Sequence, residues 1–291
     1  MTVLPQEIVR NLVRAALAED VGAGDITTEI AVPIGLRAEA CIVATEPCVV
    51  AGMPLVSEVF QQIDPSITMK SFVDDGEQAG KGTRVCVLKG AARGILTGER
   101  TALNFLQRLS GIATLTRQFV DRVKGTKARI LDTRKTTPTL RLLEKYAVTV
   151  GGGANHRMGL YDAVMIKDNH RAILARLGPK ALGNAVAAAR KHHPAAPIIV
   201  EAETIDQVEE ALAGGADHIL LDNMTPDELQ EAVTLVAGRA MTEASGGVTL
   251  QNVGAIARTG VDYISVGALT HSASAVDFSL EIANGSTEAI E

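Results

Sequence analysis

The segment LDTRKTTPTLRLLEKYAVTVGGGANHR, from Leu131 to Arg157, gathers Arg134, Lys135, His156 and Arg157 around a triple glycine. Between Arg129 and His170 seven Lys or Arg stand against four acids, a local balance of +3 in a chain of net charge −6. Arginine forks pair bidentately with carboxylate or phosphate, and lysine adds a point charge, so this excess points to an anionic substrate. Arg141 and Lys145 are assigned to solvated helix faces. Arg134, Lys135 and Lys167 sit at predicted strand ends and form the functional set. The triple glycine Gly151-Gly152-Gly153 is either a plain turn or one that lets backbone pass close to a ligand. No Gly-Lys-Ser/Thr follows it, so it is not a Walker loop. His156 and His170, taken singly, read as structural, and no pair of histidines has zinc-ligand spacing.

Two acids and two glycine loops complete the chemistry. Glu201 and Asp222 end successive apolar runs. Such hard oxygen donors suit Mg²⁺ completed by substrate phosphates, or else ordinary salt bridges to the nearby lysines. ASGGVTLQNVGAIARTG places Gly246 and Gly247 just before a helix capped near Thr249, and SVGALTHSA repeats the pattern one unit later. Helix N-termini bind phosphate, and paired phosphate loops after the last two strands are a known barrel arrangement.

The elements that must position these groups follow from the hydrophobic pattern. ARILD, DAVMI, PIIVE, HILLD, AMTEAS and DYISVG are short apolar runs, each ending in polar residues and followed by helical sequence. Strands alternating with helices imply a parallel sheet, here an incomplete β/α barrel of six or seven strands. An open doubly wound sheet is the runner-up, but no GxGxxG follows an early strand. A parallel barrel has its site at the carboxyl ends of its strands, which here carry Asp132, Arg134, Lys135, Lys167, Asp168, Asn169, Glu201, Glu203, Asp222, Asn223, Glu243 and Ser245. The N-terminal part reads as mixed α and β: strands in 36–52, a helix in MPLVSEVFQQI, and a long helix or helix pair in GILTGERTALNFLQRLSGIATLTRQFVDRVKG broken near Ser110-Gly111. Aromatics make up 3% of the chain and tryptophan is absent, which weakens any single-stranded nucleic-acid reading. No apolar run is long enough to span a membrane. Three scattered cysteines suit neither a disulfide framework nor a metal knuckle, so the cytoplasm is the expected compartment.

The leading segment, with DAVMIKDNH, GERTALNFLQRLSGIATLT, EDVGAGDITTE and EASGG, resembles the quinolinate phosphoribosyltransferase family, or nicotinate-nucleotide pyrophosphorylases (carboxylating). The resemblance runs in order over nearly the whole chain. It implies an α/β sandwich domain over 1–113, rejoined by a tail 274–291, and a barrel-like phosphoribosyltransferase domain over 114–273. It implies condensation of quinolinate with 5-phosphoribosyl 1-pyrophosphate to nicotinate mononucleotide, pyrophosphate and carbon dioxide, with Mg²⁺ and no prosthetic group. Carried over by position, Arg134, His156, Arg157 and Lys167 hold the quinolinate carboxylates, with Thr133 also in the substrate site. Lys135 lies towards the pyrophosphate. Glu201 and Asp222 bind ribose hydroxyls and Mg²⁺, and with Lys135 form the catalytic set. Ser245, Gly246 and Gly247, with Ser265, Val266 and Gly267, cradle the 5′-phosphate. Arg100 reaches into the partner's site in a homodimer, which can assemble further into a hexamer. No nucleic-acid or membrane partner is implied. Thr139 stands where the family commonly has glycine, with only a small loop effect expected. The rivals are a paralogous pyrophosphorylase-like protein of molybdate operons and a non-catalytic metabolite sensor.

Overall fold

The computed structural model describes residues 4–178 and 180–283. The chain divides into two compact units. The first takes in the chain up to Leu115, Leu142–Gly152 and the chain from Ala273 onward; the second takes in Thr116–Arg141 and Gly153–Ser272. The stretch 142–152 thus groups with the N-terminal part, whereas the domain implied by the resemblance, 114–273, includes it. Residues 284–291 of the expected tail lie outside the described residues.

The first unit is built on an antiparallel sheet of β1 (Arg37–Ala44), β3 (Thr68–Ser71), β5 (Arg84–Ala91) and β12 (Phe278–Ile282), in the order β12-β1-β5-β3. A small ribbon pairs β2 (Cys48–Val49) with β4 (Gln78–Ala79). The helices Gln6–Val21 and Met53–Ile63 pack against each other. β12 is the strand expected from the alternating tail, and its Leu280 pairs with Ile42 of β1.

The helix Ala92–Arg122 is continuous, so the break expected at Ser110-Gly111 does not occur. Both residues serve packing. Ser110 is wholly buried; its hydroxyl accepts from the Ala51 N–H at 3.0 Å and donates to the Ala51 carbonyl at 3.3 Å. Gly111 lies against the returning tail, where a methyl group would collide with the Ser274 carbonyl. Helix Arg141–Val150 also departs from expectation: Lys145 is 1% exposed, because successive residues 143 to 148 are all buried. Within that helix Glu144 pairs with Arg108 at 2.8 Å, and the Tyr146 hydroxyl donates to Asp75 at 2.6 Å.

The second unit is a six-stranded parallel sheet of β6 (Arg129–Leu131), β7 (Val164–Ile166), β8 (Ile198–Ala202), β9 (His218–Asp222), β10 (Met241–Ser245) and β11 (Tyr263–Ser265). All six sit on the runs singled out above. Their order, β6-β11-β10-β9-β8-β7, is cyclic with only the β6–β7 pairing missing. A doubly wound sheet would reverse direction at a switch point; this one curls into an open barrel. The segment after the triple glycine enters beside β6, where Ala154 bridges Leu131 in parallel. Helix starts obey the local signals: Thr225 and Glu228 cap each other reciprocally ahead of the helix Pro226–Val236. Thr139 has φ 69°, a left-handed conformation that glycine adopts freely and a β-branched residue resists. Among the described residues no helix is long and apolar enough to cross a membrane.

Gly111 gives the first test. Alanine is favoured over glycine inside a helix by about 1 kcal/mol, whereas overpacking commonly costs about 1–3 kcal/mol. The carbonyl contact is backbone and cannot swing away, so Gly111→Ala should lower the urea midpoint. A raised midpoint would mean that the tail yields without cost.

Candidate active site

The carboxyl ends of all six parallel strands line one cavity of about 450 Å³. Neighbouring strands lie about 4.8 Å apart, so a flat sheet could not bring its two outermost strands to a common pocket of this size. Curling does so, and it sets an order of charge around the rim.

Beyond β6 come Thr133, Arg134 and Lys135. Their loop is held locally: the Lys135 N–H donates to the Thr133 hydroxyl at 3.0 Å, and the Thr270 hydroxyl donates to the Lys135 carbonyl at 2.7 Å. Arg141, far from being a solvated face, reaches the Thr136 hydroxyl at 3.0 Å and the Met158 carbonyl at 3.1 Å. It clamps the loops on either side of the cup.

In the open seam lie His156 and Arg157. Asp132, wholly buried at the end of β6, accepts from the Asn155 amide at 2.6 Å and the His156 N–H at 2.9 Å. Asp162 closes the next turn by accepting from the N–H groups of Met158 and Gly159. Burial, and then the charge of Arg134, push the Arg157 guanidinium below its usual range. Two guanidiniums therefore repel across one cavity. The Nε of Arg134 is buried without a hydrogen-bond partner among the described residues.

Lys167 follows β7, its Nζ 3.3 Å from Glu201 of β8. Glu201 also accepts from the Asp168 N–H at 3.2 Å. Asp222 ends β9. Burial first, and the neighbouring Glu201 second, push its carboxyl up. Ser245 of β10 and Ser265 of β11 close the ring, the latter with a buried hydroxyl that has no partner among the described residues.

Gly246, Gly247, Val266 and Gly267 are not among the lining residues. Gly246 instead makes room for a neighbour, because at φ 94° it lies where a methyl group would strike the Asn223 side chain. Asn223, itself left-handed, donates from its side chain to Asp222 at 2.8 Å. The helix expected from a cap at Thr249 starts later, at Val253, after a turn in which Thr249 and Asn252 bond reciprocally. The triple glycine is also outside the cavity. Gly151 donates to Ala147 and Gly152 to Thr149, which makes it a helix-ending turn. Arg100 is exposed on the helix Ala92–Arg122 of the first unit.

Of the floor residues, Glu243 is among the strand-end residues expected above, whereas Met165, Leu220 and His218 are not. Met165 and Leu220 make it apolar, and Glu243 is wholly buried beneath it. Oε2 of Glu243 lies 3.2 Å from Nε2 of His156 and 2.9 Å from Nε2 of His218. The Glu243 carboxylate thus faces two imidazoles at close range, one from β9 and one from the seam. The signal was the period of two: Glu243 precedes the inward Ser245 by two residues, and His218 precedes Leu220 by two.

Glu201 and Asp222 are hard oxygen donors whose mutual repulsion a divalent cation would relieve. No cluster of three or more His, Cys, Asp or Glu suited to a metal occurs among the described residues. The pair therefore fits Mg²⁺ that keeps most of its shell from water and substrate phosphates.

A barrel rim divided into cationic and carboxylate zones can hold anionic groups on one side and hydroxyls or a cation on the other. Residues 25–110 match the family model for the quinolinate phosphoribosyl transferase N-terminal domain, and residues 112–281 that for its C-terminal domain. The chain is 43% identical to quinolinate phosphoribosyltransferase [decarboxylating] 1b of Nicotiana tabacum, over 96% of this chain and 83% of that one. It is also 43% identical to a probable nicotinate-nucleotide pyrophosphorylase [carboxylating] of Bacillus subtilis, over 94% and 93%. The structure of the nicotinate-nucleotide pyrophosphorylase from Francisella tularensis superposes with TM-score 0.90 at 39% identity, covering 97% of this chain and 98% of that one. The chain belongs to the quinolinate phosphoribosyltransferase family.

The acidic pair yields a pH test. A carboxyl whose pKa is raised by folding holds its proton longer in the folded chain. Its stabilisation is present below the unfolded value and is lost as pH rises through the folded one. Without divalent cation, Asp222→Asn should therefore raise the melting temperature at about pH 7 and leave it nearly unchanged at about pH 3. A lower melting temperature at neutral pH would show that the carboxylate holds the fold.

Proposed function

We propose that this chain condenses quinolinate with 5-phosphoribosyl 1-pyrophosphate, giving nicotinate mononucleotide, pyrophosphate and carbon dioxide. The observation that carries it is a single cavity with Arg134, Arg157 and Lys167 in one zone and Glu201 with Asp222 in another. The cations suit the quinolinate dicarboxylate. The carboxylates suit ribose hydroxyls, and would also hold Mg²⁺, which when bound neutralises charge on the pyrophosphate. Ser245 and Ser265 suit the 5′-phosphate, and Lys135 the departing pyrophosphate.

The reaction needs positioning and electrostatics rather than a covalent intermediate on the protein. The pyridine nitrogen lone pair forms a bond to the ribosyl anomeric carbon as the bond to pyrophosphate breaks, the electron pair leaving with pyrophosphate. Positive charge building on the ribosyl centre is stabilised by the preorganised carboxylates. The ring nitrogen then carries the positive charge, and the adjacent carbon–carboxylate bond breaks towards it. Carbon dioxide departs, and the carbon left behind takes a proton from solvent.

Arg100 is exposed on its helix, which suits service to a second copy. We place it across a homodimer interface, completing the partner's quinolinate site. The three cysteines are all free, which suits the cytoplasm.

Incubation with quinolinate, phosphoribosyl pyrophosphate and Mg²⁺ should yield nicotinate mononucleotide with one carbon dioxide per turnover. Nicotinate, lacking the second carboxylate, should be a very poor substrate, since a buried charge left unpaired commonly costs about 2–5 kcal/mol. Comparable turnover of the two acids would sink the assignment.

Subunit mixing tests Arg100. Arg100→Ala and Lys135→Ala should each be folded and nearly inactive. After subunit exchange, a mixed dimer has one site with both defects and one with neither, so activity should return. Mixtures with verified exchange that stay inactive would place Arg100 outside the partner's site.

A further inference from the structure

Glu243 is a buried acid that the transfer chemistry above leaves without a role. It is wholly buried in β10, and its Oε1 has no hydrogen-bond partner among the described residues. Its Oε2 faces two imidazoles, from His218 on β9 and from His156 in the seam. Burial alone would push the Glu243 carboxyl up; the two imidazoles outweigh it and hold the group below its usual range.

The other edge of His156 fixes which proton it carries. Nδ1 accepts the Arg157 backbone N–H at 2.7 Å. A ring nitrogen that accepts an N–H carries no proton itself, so the proton of the neutral ring sits on Nε2. That is the nitrogen 3.2 Å from Glu243. Both sides of the ring therefore demand the same tautomer. The opposite tautomer would set two N–H groups against each other on one side and a lone pair against a carboxylate on the other.

We propose that Glu243 is a positioning residue for the transfer reaction. It holds His156 as the Nε2–H tautomer, which keeps Nδ1 as the acceptor for the Arg157 amide and so directs the Arg157 guanidinium into the cavity. The chain of contact is short: Glu243 lies 3.2 Å from the His156 ring, His156 accepts the Arg157 backbone N–H, and Arg157 lines the cavity. Asp132 holds the His156 backbone from the other end. His218, whose ring packs 5.5 Å from that of Tyr263, keeps the carboxylate from turning away. This role rests on the quinolinate reading for its effect on catalysis, but not for the tautomer itself.

The test begins with the unmodified protein. Nitrogen NMR of labelled histidines, with His156 assigned by His156→Gln, should show a neutral Nε2–H ring at about pH 7. In Glu243→Leu, where only the Arg157 N–H still favours this tautomer, the Nε2–H signal should weaken and the quinolinate KM should rise on the order of tenfold or more, with kcat and the phosphoribosyl pyrophosphate KM within about threefold. Glu243→Gln keeps an acceptor oxygen without the charge and should show a smaller shift of the same kind. A protonated or Nδ1–H His156 in the unmodified protein overturns the proposal, as does a folded Glu243→Leu enzyme with unchanged quinolinate KM. If Glu243→Leu does not fold, the spectrum and Glu243→Gln decide. An unmodified protein that turns over no quinolinate would instead overturn the proposed function, leaving the tautomer to be settled by the spectrum.

Discussion

One buried carboxylate joins the two halves of the cationic cup. Asp132 ends β6, immediately before the loop of Arg134 and Lys135, and it holds the backbone of His156 and the side chain of Asn155. The two cationic stretches are separated by a whole helix in sequence, yet a single side chain fastens both to the same strand end. Charge-assisted bonds to a carboxylate are short and strong, particularly where water is excluded. The seam of the open barrel thereby carries part of the cavity lining, His156 and Arg157. A closed barrel would have paired β6 with β7 and left no room for the His156–Arg157 segment.

From that fastening follows the distribution of charge. Cations occupy the seam and the strand ends on either side of it, β6 and β7. The carboxylates occupy β8 and β9, and hydroxyls occupy β10 and β11. Each zone is internally repulsive: Arg134 opposes the charge of Arg157, and Glu201 opposes that of Asp222. Like charges held together destabilise the fold, and a ligand of opposite charge would relieve each zone. Such preorganisation removes the need to rearrange dipoles during reaction.

The barrel was legible because its strands are short apolar runs closed by polar residues, and the rule that sites lie at strand carboxyl ends located most of the cavity. Arg134, Lys135, Lys167, Glu201, Asp222 and Ser245 all line it. What escaped was set by tertiary packing. Lys145 looks solvent-exposed by type but lies in a helix enclosed on every face. Ser110-Gly111 looks like a helix break by propensity, but its small side chains admit the Ala51 backbone and the Ser274 carbonyl. Propensity is a weak prior, and close packing overrides it.

The glycines show the same limit in the site itself. Gly246 reads as part of a phosphate loop, and the triple glycine as either a plain turn or a close approach of the chain to a ligand. Gly246 instead gives way to Asn223, whose side chain bonds Asp222, and the triple glycine ends a helix before the chain turns to β6. Neither lines the cavity, yet each sets the place of a charged group that does. A glycine next to a predicted site therefore has two physical readings, approach of a ligand and approach of the protein's own chain. Sequence spacing is the same for both, and only the neighbour across the fold separates them.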